Sequence, residues 1–161
     1  MSVVGNILAS YRRPGRVAAR LLAAPPNEGR ALALLMGACL MVFVSQWPLL
    51  ARRAYLEEAD LQMLMGGALM GWLFIAPLLF YALAFVAYLA QRVMGGQASP
   101  YAARVTLFWA LLASCPLVLL NGMVAGFIGP GPALSMVGLA WLVVFGWFWI
   151  MGIRQAGWRE T

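Results

Sequence analysis

The chain contains no histidine, which removes imidazole as a general base, a haem ligand or a metal ligand. Lysine is absent too, acidic residues number five in all, and no charged side chain falls within four long apolar stretches at residues 31–50, 61–90, 105–127 and 132–153. Proton-coupled transport and charge-selective conduction ordinarily need an ionisable group at membrane depth, so this absence weighs against both. The two cysteines, Cys39 and Cys115, lie mid-stretch at similar depth. Their separation fits no metal site, and apolar surroundings favour inert packing thiols over a disulfide. The expectation is a non-enzymatic protein with no catalytic residue, no cofactor, no metal and no nucleic-acid partner.

What is present is apolar: 64% of the 161 residues are hydrophobic and 10% are charged, against about half and a quarter in a soluble domain. The first, third and fourth stretches hold 20, 23 and 22 residues. About 20 helical residues cross a hydrocarbon core of roughly 30 Å. The second stretch has 30 residues, too long for a straight crossing, so it must tilt, kink at Pro77 or begin as a surface lead-in; the favoured expectation is a lead-in loosened by Gly66, Gly67 and Gly71, with residues 71–90 making the span. Lipid offers no partner for unpaired backbone groups, and the alternation of a barrel strand is missing, so the segments predict helices. The fold class is all-α: a polytopic membrane bundle of four transmembrane helices (residues 31–153), preceded by a basic amphipathic segment (1–30) and followed by a short tail (154–161).

Nine of the eleven arginines fall on one side of these spans and two, Arg52 and Arg53, on the other. The positive-inside rule then places both termini in the cytoplasm of a multi-pass protein, with the bacterial inner membrane as the expected location. No cleavable signal is expected, because the first long apolar run continues as a span. Pro14, Gly15 and Arg16 follow Arg12-Arg13 where a twin-arginine signal needs an apolar run. In the basic segment Val3, Val4, Ile7, Leu8 and Tyr11 recur at helical spacing, with Asn6 and Ser10 on the other side. A second short helix carries Val17, Leu21 and Leu22. These predict either interfacial helices whose Arg12, Arg13, Arg16 and Arg20 meet anionic lipid head groups, or a solvated tail that only sets topology.

Trp47, Tyr88, Trp109, Trp147 and Trp149 fall near span ends and read as an interfacial belt. Glu57, Glu58 and Asp60 read as favouring the N-terminus of the second helix, with Glu57 four residues from Arg53. Pro77 and Pro116 occupy comparable depths in spans two and three and free the carbonyls of Leu73 and Leu112. Span three carries small residues at multiples of four, Ala110, Ser114, Gly122 and Gly126, with Asn121 alongside, a face suited to close approach of another helix or a partner.

The connection between spans two and three reads LAQRVMGGQASPYAARVTLFWALLASCPLVLL. This segment, with its glycine pair Gly95-Gly96, Ser99 and Pro116, and Pro77 in the helix before it, resembles the Yip family, membrane proteins named for interaction with Ypt/Rab GTPases. The resemblance covers residues 31 onward. It departs in showing four spans where family members generally look like five-span proteins, and in lacking the Asp-Leu-Tyr-Gly motif, so the GTPase-binding role is not carried over. The resemblance implies a non-enzymatic membrane scaffold or partner-binding protein, organised by the hairpin of spans two and three, with a membrane-protein partner or a second copy. Two rivals stand beside it: an accessory or assembly subunit of a larger membrane complex, and a small transporter or lipid-handling protein. The last would show itself as a polar cavity around Asn121, Ser114 and Gln46.

Overall fold

The computed structural model describes residues 3–157, and among these the ordered structure is helical throughout. Two short helices, α1 (Val3–Arg12) and α2 (Pro14–Ala23), precede α3 (Glu28–Ser45) and α4 (Trp47–Leu56), which run together as one 29-residue candidate span, Glu28–Leu56. Asn27 starts it by accepting a hydrogen bond from the Arg30 backbone N–H at 3.2 Å. Next come α5 (Leu61–Met70), a π-helical turn (Gly71–Ile75) and α6 (Ala76–Val93). They are followed by α7 (Pro100–Ala113), α8 (Cys115–Phe127) and α9 (Pro132–Gly157). Three helices are long and apolar enough to cross a membrane; α7 and α8, bent by 44° at Ser114, make a fourth if counted as one broken span.

The second stretch does not divide as its glycines suggested. Leu61–Val93 is continuous for 33 residues, about 50 Å. Gly66, Gly67 and Gly71 have no neighbour within 4 Å of where a Cβ would lie, so they neither break the helix nor seat another. The π turn accommodates Pro77: the Ala76 N–H bonds back five residues to the Gly71 carbonyl, and the extra residue absorbs the mismatch where Pro77 supplies no donor.

The core forms around α7. Every residue from Tyr101 to Ala113 is buried except Arg104, enclosed chiefly by α3, α6 and α9 with the N-terminal helices beside them. Against it α3 turns Ala31, Leu35, Ala38, Cys39 and Val42, while Leu32, Leu40 and Met41 face outward. The inward face thus holds smaller residues than the outward one. Packing in lipid draws on close contact rather than water exclusion, which favours small residues inside.

The N-terminal helices dock on this core. On α2, Val17 and Ala18 are buried in its packing against α7 and α9, so the apolar face expected to meet lipid is covered by protein. On α1 the polar residues turn inward: the Ser10 hydroxyl donates to the Asn6 carbonyl at 2.9 Å and accepts from Trp109 Nε1 at 3.1 Å. Val3, Val4, Leu8 and Tyr11 are left exposed. Trp109, expected in the interfacial belt, is therefore a core residue, and its indole N–H fixes α1. Trp47 and Trp147 do face outward.

Several arginines serve the fold. Arg30 Nη2 reaches the Leu21 and Pro25 carbonyls and the Tyr101 hydroxyl at 3.4, 3.3 and 2.9 Å, clasping the α2–α3 link to α7. Arg104 pairs with Glu28 at 2.5 Å. At the opposite end Arg52 Nη1 donates to the Gly126 carbonyl at 3.2 Å, a cation against the negative end of α8. Asp60 caps α5 by accepting from the Gln62 N–H at 2.9 Å, and Glu57 pairs with Arg53 at 3.4 Å.

Candidate functional site

The small-residue face of α8 is filled from within the chain. A Cβ added at Gly122 would sit 1.9 Å from the Ser45 carbonyl oxygen, and one at Gly126 would sit 2.3 Å from Pro48 Cβ. These glycines let α8 touch the α3–α4 junction backbone to backbone, so they seat a helix of the same molecule. Ser114 and Asn121 belong to a different surface. The Ser114 hydroxyl donates to the Leu111 carbonyl at 2.9 Å, satisfying part of the backbone at the bend, and accepts from Trp141 Nε1 of α9 at 3.1 Å. Asn121 Nδ2 donates to the Leu134 carbonyl at 3.4 Å.

The hairpin residues act locally. Gly95, at φ +82°, ends α6, and the N–H groups of Gly95 and Gly96 return to the Arg92 and Gln91 carbonyls at 3.2 and 2.8 Å, closing the helix with a left-handed residue. Ser99 opens α7 by accepting from the Ala102 N–H at 3.1 Å, with Pro100 in the first turn. Pro116 stands in the first turn of α8, just past the bend, where a missing N–H costs nothing. Pro77 and Pro116 thus mark two separate irregularities, a π turn and a bend. Arg12 on α1, Arg13 at the junction, and Arg16 and Arg20 on α2 are all exposed.

Above the bend lies a recess of about 360 Å³. It exists because α9 packs on α2, α7 and α8, whereas the second span packs on α3, α4 and α7, leaving the two without substantial mutual contact. Trp72 and Phe80 form one wall and Trp141 the other, with Leu111 and Val118 between them. Gly138 opens the α9 side: a Cβ there would meet only Asn121 Nδ2, at 3.5 Å. Trp141 is held by Ser114 and stacks on Phe145 with ring centres 5.6 Å apart, so this wall is fixed. The three rim aromatics are partly exposed, and the recess lies in the gap between the second span and α9.

Its lining side chains carry two primary amides, Gln46 and Asn121, and the indole N–H groups of Trp72 and Trp141, the last already given to Ser114, and none of the residues lining it is charged. Such a surface can bind an apolar chain or ring and offer neutral hydrogen bonds; it has no acid, base or nucleophile to carry out a reaction. No three metal-ligating side chains come together among the described residues. Of the three residues around which a polar cavity was expected, Asn121 and Gln46 line this mostly apolar recess and Ser114 does not, its hydroxyl being taken up by Leu111 and Trp141; the spacing had no means of finding Gly138, Trp72 or Trp141 as neighbours. It also missed Gly152, where a Cβ would lie 2.9 Å from Thr106 Cβ, the close α7–α9 contact.

No family model, curated protein or solved structure matches the chain.

Proposed function

We propose that the chain is a non-enzymatic membrane protein of Yip-like type, crossing the bacterial inner membrane four times with both termini in the cytoplasm and acting as a scaffold for other membrane components. The observation that supports this is the enclosure of α7: the helix that follows Gly95, Gly96 and Ser99 is the rigid centre on which the other spans are mounted. Their outward faces, with Leu78, Leu79 and Phe85 on α6 and Leu139 and Val143 on α9, then remain for lipid or for a partner. The α7–α8 pair is read as one span bent at Ser114. In this reading the partner is a second membrane protein or a second copy, and Arg12, Arg13, Arg16 and Arg20 rest against anionic head groups beside the exposed apolar face of α1.

Photo-crosslinking amino acids placed at Leu79 and Val143 in native membranes test the scaffold. Discrete protein adducts are expected from at least one face. Adducts to lipid alone from both would overturn it. The recess favours a second reading, a lipid-handling protein, because a scaffold has no need of a cavity between its spans.

A further inference from the structure

We propose that the recess between the second and fourth spans holds one acyl chain of a bilayer glycerophospholipid. The site requires that the chain cross a bilayer; it does not require the scaffold role. Its volume, about 360 Å³, falls in the range of small-ligand sites, and protein interiors do not leave such space empty, because lining atoms would lose their dispersion contacts. Water is a poor occupant. At about 30 Å³ each, on the order of ten waters would be needed to fill it, each wanting two to four polar partners, and the lining side chains offer two amides and the Trp72 indole N–H beyond the Trp141 N–H already given to Ser114.

The walls and the opening choose the occupant. Leu111, Val118, Phe80 and the ring faces of Trp72 and Trp141 are apolar, and the recess lies in the gap between two candidate membrane spans, where in a bilayer acyl chains are the solvent. Asn121 lies about 9 Å along α8 from Phe127, and the contact of Gly122 with Ser45 sets Gln46 at the same level, so the recess sits inside the apolar zone. The absence of any charged residue in the lining leaves the phosphate head group outside. Gly138 is what admits the chain, because any larger side chain there projects toward Asn121.

The test uses the full chain in nanodiscs of phosphatidylcholine, a fraction of which carries a diazirine in mid-chain, with adducts located by peptide mass spectrometry after irradiation. Outward residues such as Leu78 and Val143 report annular lipid. Leu111, at 2% exposure, can be labelled only from inside the recess. Labelling of Leu111 and Val118 is expected, and Gly138→Phe should remove it while leaving Leu78 and Val143 labelled. Val118→Trp, read at Leu111, gives the same answer if Gly138→Phe fails to fold. No label at Leu111 in the unaltered protein, or label that survives both filling substitutions, would overturn the site. Neither result bears on protein adducts from the outer faces.

Discussion

Gly122 is the sharpest point at which this packing can be tested. Replacing it by alanine sets a methyl group 1.9 Å from the Ser45 carbonyl oxygen, and backbone cannot swing aside as a side chain can. Restoring ordinary van der Waals separation requires α8 to retreat by about 1.5 Å. That retreat loosens the neighbouring Gly126–Pro48 contact and the Arg52 bond to the Gly126 carbonyl. Overpacking of this kind costs about 1–3 kcal/mol, and the lost seam brings Gly122→Ala to the upper end of that range. Gly146→Ala, where a Cβ meets nothing within 4 Å, serves as the control and should be neutral or gain up to about 1 kcal/mol from helix propensity. For a chain of this size 1 kcal/mol corresponds to about 2–4 °C. Thermal unfolding in mild detergent, followed by near-ultraviolet circular dichroism, should therefore place Gly122→Ala well below Gly146→Ala, with Gly122→Ile lower still. Coincident transitions for the two alanine variants would refute the backbone contact between α8 and the α3–α4 junction.

Ser10→Ala removes the acceptor of the Trp109 indole N–H and should cost about 1–3 kcal/mol, appearing as faster hydrogen exchange confined to residues 3–12; unchanged exchange there would mean that α1 is held by other contacts. Gly95→Ala forces a side chain into φ +82° and should cost about 1–2 kcal/mol in thermal unfolding, roughly as much as Ser99→Ala costs through the lost cap. A green fluorescent protein fused after Thr161 is expected to fluoresce and alkaline phosphatase fused there to stay inactive; the reverse would invert the topology. Replacing Arg12, Arg13, Arg16 and Arg20 together by glutamine should weaken binding of a residue 1–24 peptide to anionic vesicles by about 1 kcal/mol per arginine at low salt, and equal binding would leave these residues without a head-group role.

The helical, apolar character of the chain was legible because lipid as solvent leaves a strong mark: long uncharged runs with no strand alternation. The close-contact face of α8 was legible as well, since glycines four apart carry the same meaning whether the second helix is another molecule or an earlier segment. What the spacing of Gly122 and Gly126 could not say was which of the two fills it. The glycines at 66, 67 and 71 read as weak points because glycine lowers helix propensity, yet a membrane helix has no competing partner for its backbone and runs on through them. Trp109 misled for a related reason. A tryptophan near a span end has the same address whether its indole N–H meets head groups or a serine ninety-nine residues earlier. That the polar stripe of α1 meets the core was not legible, because amphipathicity reveals two faces without saying what each meets. The recess was invisible because it is defined by two spans that fail to touch, and a missing contact has no pattern in one dimension.

The enclosure of α7 also governs the order in which the molecule can be completed. Arg30 waits for Tyr101, seventy-one residues later, and until α7 is in place α3 has only the second span of the later helices to pack on. In water that delay would expose a sticky surface and invite aggregation. In lipid, Ala31, Leu35, Ala38 and Cys39 meet acyl chains as readily as they meet side chains, so the early spans lose little by waiting. The last helix to arrive, α9, finds its place set by Ser114 and Gly152 and stops short of the second span, so the same sequence of arrivals that builds the centre leaves one side of the ring open.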